Sequence, residues 1–309
     1  MRFGLQIYQD HEAENLWDDV LAKARAAEES GFDSVWLWDH FMFDRTWGES
    51  DWNPTLECFT GLAALAAVTE RVKIGHLVAG VPFRNPALVA KMATSLDVIS
   101  HGRAVLGLGA AWMEREFEGY GYNFEDVPTR MRRLEEAIKL ILAMWRERPT
   151  TFQGRFYRAE RALNDPPPVQ RPHPPLLIGG SGEKVTLRLV AQYGQWCNVI
   201  GDPETVGQRF AVLREHCRRL GRDPAEITFS SYGWAIIGRD EAEAAAKLER
   251  LGERRRRYAG LAGSPERLVE WFRAYAAAGA QHAIFQMTGQ AAEDVRLFGR
   301  TVVPALRDA

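Results

Sequence analysis

The stretch that decides the fold is Ser30-Gly31-Phe32-Asp33-Ser34-Val35-Trp36-Leu37-Trp38. It follows a segment with apolar residues at helical spacing, and Gly31 supplies the left-handed residue that ends many helices. The apolar run from Val35 to Trp38 is typical of a parallel strand that is buried on both faces. The stretch therefore predicts a helix, a turn and a buried strand, in that order.

The same arrangement recurs along the whole chain. A helical segment that ends near a glycine precedes an apolar run at four further places, which begin at Ala104, Trp196, Glu226 and His282. Three more apolar runs complete the series: Phe3 to Tyr8, Val72 to Ala79 and Leu176 to Ile178. Eight strands that alternate with helices favour a closed parallel barrel, because right-handed crossovers then cover every strand. We therefore expect an α/β fold, a single (β/α)8 TIM barrel.

One long segment interrupts this rhythm between strands four and five. It runs from the amphipathic helix that contains Trp145 to the strand at Leu176, and it includes the proline-rich run Asn164 to Pro168. A loop of that length in a compact domain is usually a lid or a capping insertion. We expect one barrel domain over residues 1–309, with an insertion at about residues 146–175.

An open, doubly wound sheet with the same strand count is the alternative architecture. Dinucleotide-binding sheets of that kind carry a G-x-G-x-x-G fingerprint. Gly107 and Gly109 are present here, but Trp112 stands where the third glycine would be. The incomplete fingerprint favours the closed barrel.

Composition narrows the class of protein. The chain has 309 residues, of which 46% are hydrophobic, and its formal net charge is −2. A near-zero charge argues against a protein that binds nucleic acid by neutralising phosphates. No apolar run reaches the ~18 residues of a membrane span, and the start at Met1 lacks the features of a signal peptide. We expect a cytoplasmic protein without nucleic-acid or membrane partners.

Metal and carboxylate chemistry is not expected. The three cysteines, Cys58, Cys197 and Cys217, are far apart and show no Cys-x-x-Cys spacing, so neither a disulfide framework nor a structural zinc site is indicated. Neither a His-Glu-x-x-His motif nor a pair of catalytic carboxylates is recognisable. The simplest interpretation of the acidic residues Glu57, Glu114 and Glu116 is that they start helices or lie in solvent.

In a barrel, the loops after the strands build the active site. Strand two is followed by Trp38-Asp39-His40-Phe41, and histidine is the side chain that most readily serves as acid or base near neutral pH. A histidine that only caps the loop is the alternative. In strand three, His76 lies on the same face as Ile74 and Val78, and it is either part of the pocket floor or a core histidine.

Small residues follow strands four and five. Gly109 and Ala110 would let a planar ligand approach the backbone, with Trp112 as a wall, although tight packing explains them equally well. The run from Gly179 to Lys184 precedes an amphipathic helix, where backbone N–H groups and the helix dipole favour a phosphate; a plain glycine-rich turn is the alternative. Four tryptophans near the expected mouth suit a flat conjugated ligand: Trp38, Trp47, Trp52 and Trp112.

Four motifs together resemble the luciferase-like monooxygenase superfamily, and most closely its branch that uses the deazaflavin coenzyme F420. In chain order they are Trp38-Asp39-His40-Phe41, Pro82-Phe83-Arg84-Asn85-Pro86-Ala87, Val105-Leu106-Gly107-Leu108-Gly109-Ala110-Ala111-Trp112 and Ile178-Gly179-Gly180-Ser181-Gly182-Glu183-Lys184. The similarity runs over essentially the whole chain, so it is much more specific than any single motif.

The resemblance implies a (β/α)8 barrel with the coenzyme ring at its C-terminal mouth. It implies a non-prolyl cis peptide near Leu77-Val78-Ala79 behind the ring, the coenzyme phosphate near Gly179 to Gly182, Asp39 at the polar edge of the ring, and His40 as the acid or base. The expected coenzyme-binding residues are Asp39, His40, Leu77, Val78, Ala79, Gly109, Ala110, Trp112, Gly179, Gly180, Ser181 and Gly182, with no metal.

The implied activity is hydride transfer between coenzyme F420 and a small organic substrate. Sugar-phosphate dehydrogenases of the branch carry a glutamate and an asparagine where Ala110 and Met113 stand here, which argues against a sugar phosphate and for a more apolar pocket. Two alternatives stay open: a two-component monooxygenase that uses reduced FMN and oxygen, and a protein that binds a flavin or deazaflavin without turnover. Members of the family often pair, so a homodimer is also expected.

Overall fold

Eight parallel strands close into a barrel in the computed structural model, which describes residues 1–10, 13–44, 52–251 and 260–307. The strands are β1 Arg2–Gln6, β2 Ser34–Leu37, β3 Lys73–His76, β4 Ala104–Gly109, β5 Leu176–Gly179, β6 Trp196–Ile200, β7 Thr228–Ile237 and β8 His282–Gln286. Each strand pairs in parallel with the next one along the chain, and β8 pairs with β1 to close the ring. The predicted TIM barrel is confirmed, and the alternative prediction of an open, doubly wound sheet is wrong.

Helices cover the outside of the barrel. In the described part of the chain they are α1 Leu16–Glu29, α2 Cys58–Val68, α3 Pro86–Ile99, α4 Glu114–Gly119, α5 Val127–Arg146, α6 Thr186–Tyr193, α7 Pro203–Leu220, α8 Glu241–Arg250, α9 Pro265–Ala277 and α10 Ala292–Arg307. Polar side chains cap several first turns; for example, Asp126 accepts a hydrogen bond from the backbone N–H of Thr129. Gly221 ends α7 in the left-handed conformation, as expected from the glycine pattern.

Short strands accompany the barrel. Ala79–Gly80 lies beside β4, Leu261–Gly263 lies beside β7, and two antiparallel pairs are formed by Phe43–Asp44 with Trp52–Asn53 and by Thr150–Gln153 with Arg158–Ala162. The second antiparallel pair lies in the segment between α5 and β5.

The insertion packs against the outside of the barrel. The carboxylate of Asp97 in α3 accepts the backbone N–H of Val169 at 2.7 Å, and the carboxylate of Glu136 in α5 accepts the backbone N–H of Tyr157 at 2.7 Å. Residues 147–175, all of them described, contribute nothing to the lining of the cavity at the mouth. The length of the segment is compatible with a lid or with a capping insertion, and these partly buried contacts hold it along α3 and α5, away from the cavity lining.

The barrel interior is filled below the mouth. Five buried side chains form this plug, namely Trp36, Val105, Leu177, Trp196 and Ile284. Gly75 makes room for the plug, since a Cβ at that position would lie 2.2 Å from the Trp36 ring. Within the barrel, room for a ligand is therefore left only at the ends of the strands.

His76 is a core residue. Its neighbour in the pattern, Ile74, points outward into the cluster between the sheet and α2, and the His76 ring lies 4.1 Å, centre to centre, from Phe59 of that helix. Burial lowers the pKa of His76 to about 4. The alternative that placed His76 in the pocket floor is wrong, because its face of β3 is the outer one.

Candidate active site

A cavity of about 640 Å³ lies at the carboxyl ends of the strands, a size typical of sites for small molecules. All eight strands or the loops that follow them contribute to its lining. Its glycine half follows β3, β4 and β5 and is lined by Leu77, Val78, Gly109, Ala110, Gly179 and Gly180. Its amide half follows β1, β7 and β8 and is lined by Gln6, Tyr8, Tyr232, Trp234, Gln286 and Thr288. The exit of β2, which carries Trp38 and His40, lies between the two halves because β2 pairs with both β1 and β3.

A carboxylate holds His40 at this boundary. Oε2 of Glu116, in α4, lies 2.9 Å from Nδ1 of His40. The other oxygen of Glu116 accepts the backbone N–H groups of Phe41 and Met42, at 2.6 and 3.1 Å. A carboxylate accepts hydrogen bonds, so we assign Nδ1 as the donor of the pair, and Nε2 is the ring nitrogen that does not face Glu116. The pair resembles the carboxylate–histidine arrangement that orients a general base.

Glu116 is a functional candidate that the sequence interpretation missed. Glu116 stands in the first turn of α4, as expected, but the interpretation as a solvated residue is wrong, because the side chain is only 1% exposed and its three hydrogen bonds reach the loop after β2. Glu57 and Glu114 do stand at helix starts, as expected. Glu116 and Phe117 are the two buried residues of α4, but a helix of six residues is too short to show the periodicity that would have indicated a buried glutamate.

The carboxylate of Asp39 is held by hydrogen bonds to other residues. Arg84 binds its carboxylate in a bidentate manner at 2.6 and 2.8 Å, and the backbone N–H of Gly80 donates to it at 2.9 Å. Burial would lower the pKa of Arg84, but the carboxylates of Asp39 and Glu57 outweigh it and raise that pKa. Arg84 therefore stays charged, and this network joins the loop after β2 to the segment after β3.

The segment after β3 forms the wall between the two glycine-bearing strands. The Leu77–Val78 peptide bond is cis, as the resemblance implies. A Cβ at Gly109 would lie 2.6 Å from the Val78 side chain, and one at Gly179 would lie 2.8 Å from it. Packing is therefore one valid reason for the small residues here, because glycine admits Val78; the approach of a planar ligand stays a prediction, and the same glycines do line the cavity.

The loop after β5 begins with Gly180, whose φ of +122° is rare for residues that carry a side chain. The helix that follows, α6, has no side-chain cap on its first turn, and Thr186 of that turn lines the cavity. An uncapped helix start is a favourable place for an anion. Ser181 accepts the backbone N–H of Ile200 at 3.3 Å and lies outside the lining.

Arg130 supplies a positive charge that the sequence interpretation did not single out. It lies in the first turn of α5, is 6% exposed and lines the cavity, and it is the only lysine or arginine among the described lining residues. Its Nε has no hydrogen-bond partner among the residues that the structure describes. Helices α5 and α6 are neighbours, joined by the ion pair between Glu135 and Arg188, and Arg130 lines the same cavity as Gly179 and Gly180.

The cavity thus brings together nine of the twelve residues expected to bind the coenzyme: Asp39, His40, Leu77, Val78, Gly109, Ala110, Trp112, Gly179 and Gly180. Ala79, Ser181 and Gly182 lie outside the lining, and their part in binding stays a prediction. Trp112 is 50% exposed and meets the His40 ring edge to face at 5.7 Å. Trp47 lies outside the described residues, and only the backbone of Trp52 is described.

The described ranges contain no group of three or more His, Cys, Asp or Glu side chains that could hold a metal ion. Within the same residues, the helices are too short or too polar for any of them to cross a lipid bilayer.

Comparison with known proteins adds the wider context. A family model for luciferase-like monooxygenases matches residues 1–262. The chain is 28% identical to an F420-dependent glucose-6-phosphate dehydrogenase of Microbacterium testaceum, over 99% of this chain and 98% of that protein. It is 30% identical to an uncharacterized protein of Mycobacterium tuberculosis, over 70% of this chain and 77% of the relative.

Solved structures share the fold. An F420-dependent secondary alcohol dehydrogenase in complex with an F420-acetone adduct superposes with a TM-score of 0.84 at 22% identity, covering 99% of both chains. The FMN-bound oxygenating component of 3,6-diketocamphane monooxygenase from Pseudomonas putida superposes with a TM-score of 0.77 at 18% identity, covering 98% of both chains. At these identities the likeness shows the barrel and no more.

Proposed function

Because the chain belongs to the luciferase-like monooxygenase family, we propose that this enzyme is an oxidoreductase that uses coenzyme F420 and transfers a hydride between the deazaflavin and a small organic substrate. One observation carries the proposal: a histidine fixed by a buried carboxylate stands between two unlike halves of one cavity. Full-length similarity to an F420-dependent dehydrogenase supports the choice of coenzyme.

The residues of the glycine half fit such a coenzyme. Val78 offers an apolar surface for one face of a flat ring, and Gly109 and Ala110 carry little that would block it. The unpartnered Nε of Arg130 and the uncapped start of α6 suit the phosphate of its tail. When bound, the deazaflavin supplies the two-electron hydride chemistry.

His40 is the catalytic acid or base in this proposal. Its Nε2 accepts or donates the proton that accompanies hydride transfer, and Glu116 is a positioning residue that keeps the ring in one orientation. Asp39, whose oxygens already bind Arg84 and Gly80, holds the wall after β3 in place; any contact of Asp39 with the ring would be additional to these bonds.

Coenzyme choice is the first prediction. Titration of the protein with F420 and, separately, with FMN should show that F420 binds at least tenfold more tightly. Quenching of tryptophan fluorescence measures both, since Trp38, Trp112 and Trp234 line the cavity. Tight binding of FMN alone would overturn the proposal in favour of a two-component monooxygenase, and binding of F420 without turnover of any substrate would favour a carrier.

A second prediction concerns Arg130. Arg130→Met should weaken F420 binding by roughly 10- to 100-fold, because a charge-assisted hydrogen bond to the phosphate is lost. Arg132→Met is the matched control, since Arg132 lies on the same helix but faces solvent. The riboflavin-level deazaflavin, which lacks the phosphate, should bind both variants as it binds the unaltered protein. Equal loss of affinity for the two ligands would mean that Arg130 acts on the fold and not on the phosphate.

A further inference from the structure

Two glutamines stand side by side in the amide half of the cavity. Gln6 ends β1 and Gln286 ends β8, and the two residues are paired in the register of these strands. Both are buried, at 1% and 5% exposure, and both line the cavity. Neither takes part in the coenzyme-binding arrangement described above.

Aromatic donors from β7 hold the amide oxygens of both glutamines. Nε1–H of Trp234 donates to Oε1 of Gln286 at 2.9 Å, and the hydroxyl of Tyr232 donates to Oε1 of Gln6 at 2.8 Å. An indole N–H can only donate, which fixes the orientation of the Gln286 amide. Burial raises the pKa of Tyr232, so its hydroxyl keeps its proton. The NH2 groups of both amides are therefore turned away from these partners.

The nitrogen of Gln6 lacks an acceptor. Within the described residues, Nε2 of Gln6 has no hydrogen-bond partner, and neither does Oγ1 of Thr288, which lines the same half. Nearly all buried polar groups in native proteins are paired, so a buried donor at a cavity wall indicates an acceptor on the ligand.

The surroundings restrict what that ligand is. Tyr8 and Trp38 meet edge to face at 6.3 Å, and Tyr232 and Trp234 do so at 5.1 Å, so two aromatic pairs line the same cavity as the amides. None of the described residues of the amide half carries a formal charge. Such a wall suits a flat, uncharged molecule. Trp38 also lies 6.0 Å from the ring of His40, so this ligand is close to the acid or base.

We propose that the amide half is the substrate compartment, and that the substrate is an uncharged planar carbonyl compound whose oxygen accepts hydrogen bonds from Gln6 and Gln286. This inference rests on the proposed function, which leaves the substrate open. It agrees with the absence of the glutamate and asparagine that sugar-phosphate dehydrogenases carry at the positions of Ala110 and Met113.

Binding of three probes tests the substrate class. The probes are 2-acetylnaphthalene, 2-naphthoate and naphthalene, which share a ring system and differ in the acceptor and its charge. Calorimetry on the F420-loaded protein should show that the ketone binds at least tenfold more tightly than the other two. Ketone affinity that does not exceed that of naphthalene, equal or tighter binding of 2-naphthoate, or no ketone binding at 1 mM would each overturn the inference.

Substitutions of Gln6 and Gln286 test whether their side-chain amides bind the ketone. Gln6→Leu and Gln286→Leu should each weaken ketone binding about tenfold and leave naphthalene binding unchanged. Gln6→Glu keeps an acceptor for Tyr232 and removes the donor, so it tests the same point if the leucine variant does not fold. Gln208→Leu, on the exposed side of α7, is the matched control. Ketone affinity that is unchanged in the Gln6 and Gln286 variants would overturn the inference.

F420 affinity, measured by equilibrium dialysis on the same variants, separates the two proposals. Failure of the unaltered protein to bind F420 would refute the proposed function, and the probes can then still be tested on the coenzyme-free protein. Weaker F420 binding in the glutamine variants, with ketone binding unchanged, would show that the amides face the coenzyme and would overturn the substrate compartment. Unchanged F420 affinity together with lost ketone affinity supports it.

Discussion

His40→Ala is expected to lower kcat by roughly 10²- to 10⁴-fold, the usual contribution of a positioned acid or base. The physical reason is that no other described side chain pairs a ring nitrogen with a buried carboxylate at the boundary of the two cavity halves. F420 affinity should change little, because the phosphate and ring surfaces proposed above do not depend on the imidazole. The measurement is turnover of a substrate found by screening, followed through the absorbance of the coenzyme.

Two further variants separate proton transfer from support of the loop. His40→Asn keeps an amide N–H where Nδ1 donates to Glu116 and removes Nε2, so it should lose as much rate as the alanine variant. Glu116→Gln retains Nε2 but alters the acceptor of Nδ1, so it should cause a smaller loss and move the pH profile of kcat. Unchanged turnover in His40→Ala would remove the assigned role altogether. A full loss of rate in the alanine variant with normal rate in His40→Asn would make His40 structural.

Gly180→Asp is expected to weaken F420 binding at least 100-fold. Three effects add in the same direction. The φ of Gly180, +122°, is one that residues with a side chain rarely adopt, a Cβ there would lie 3.3 Å from Thr186, and the new carboxylate would repel the coenzyme phosphate. Fluorescence titration measures the affinity, and the electrostatic share should decrease at high salt.

Two control variants separate the causes of the expected loss of F420 affinity. Gly180→Asn has nearly the same size without the charge, so the difference between the two variants measures repulsion. Gly221→Asp places the same residue at another position with positive φ, +66°, where nothing lies within 4 Å of the new Cβ. Gly221 follows α7 and does not line the cavity. The Gly221→Asp variant should have a free energy of unfolding about 1 kcal/mol lower than the unaltered protein and the same F420 affinity. F420 affinity of Gly180→Asp within threefold of the unaltered protein would move the phosphate elsewhere.

Two strands show how well the local pattern of apolar residues predicts the ends of a strand. The strand predicted from Trp196 to Ile200 has the same ends in the structure, because all of its residues except Asn198 are apolar. β7 was predicted from Glu226 to Phe229 but extends over Thr228–Ile237. Its middle contains Ser230, Ser231 and Gly233, which do not form an apolar run, yet their backbone groups pair with β6 and β8. Pairing with neighbours, and not hydrophobicity, sets the length of this strand.

By itself the sequence determined the closed barrel and the residues that stand at the strand exits, since both follow from short-range periodicity and from glycines that end helices. Only the tertiary structure decided that Glu116 reaches His40, 76 residues away, that Arg130 and the paired glutamines Gln6 and Gln286 face the same cavity, and that the insertion lies outside it. The reason is that the spacing of apolar residues within one segment is enough to indicate a buried strand or helix. The partner of a polar side chain depends instead on which loops lie next to each other once the strands have closed into a barrel.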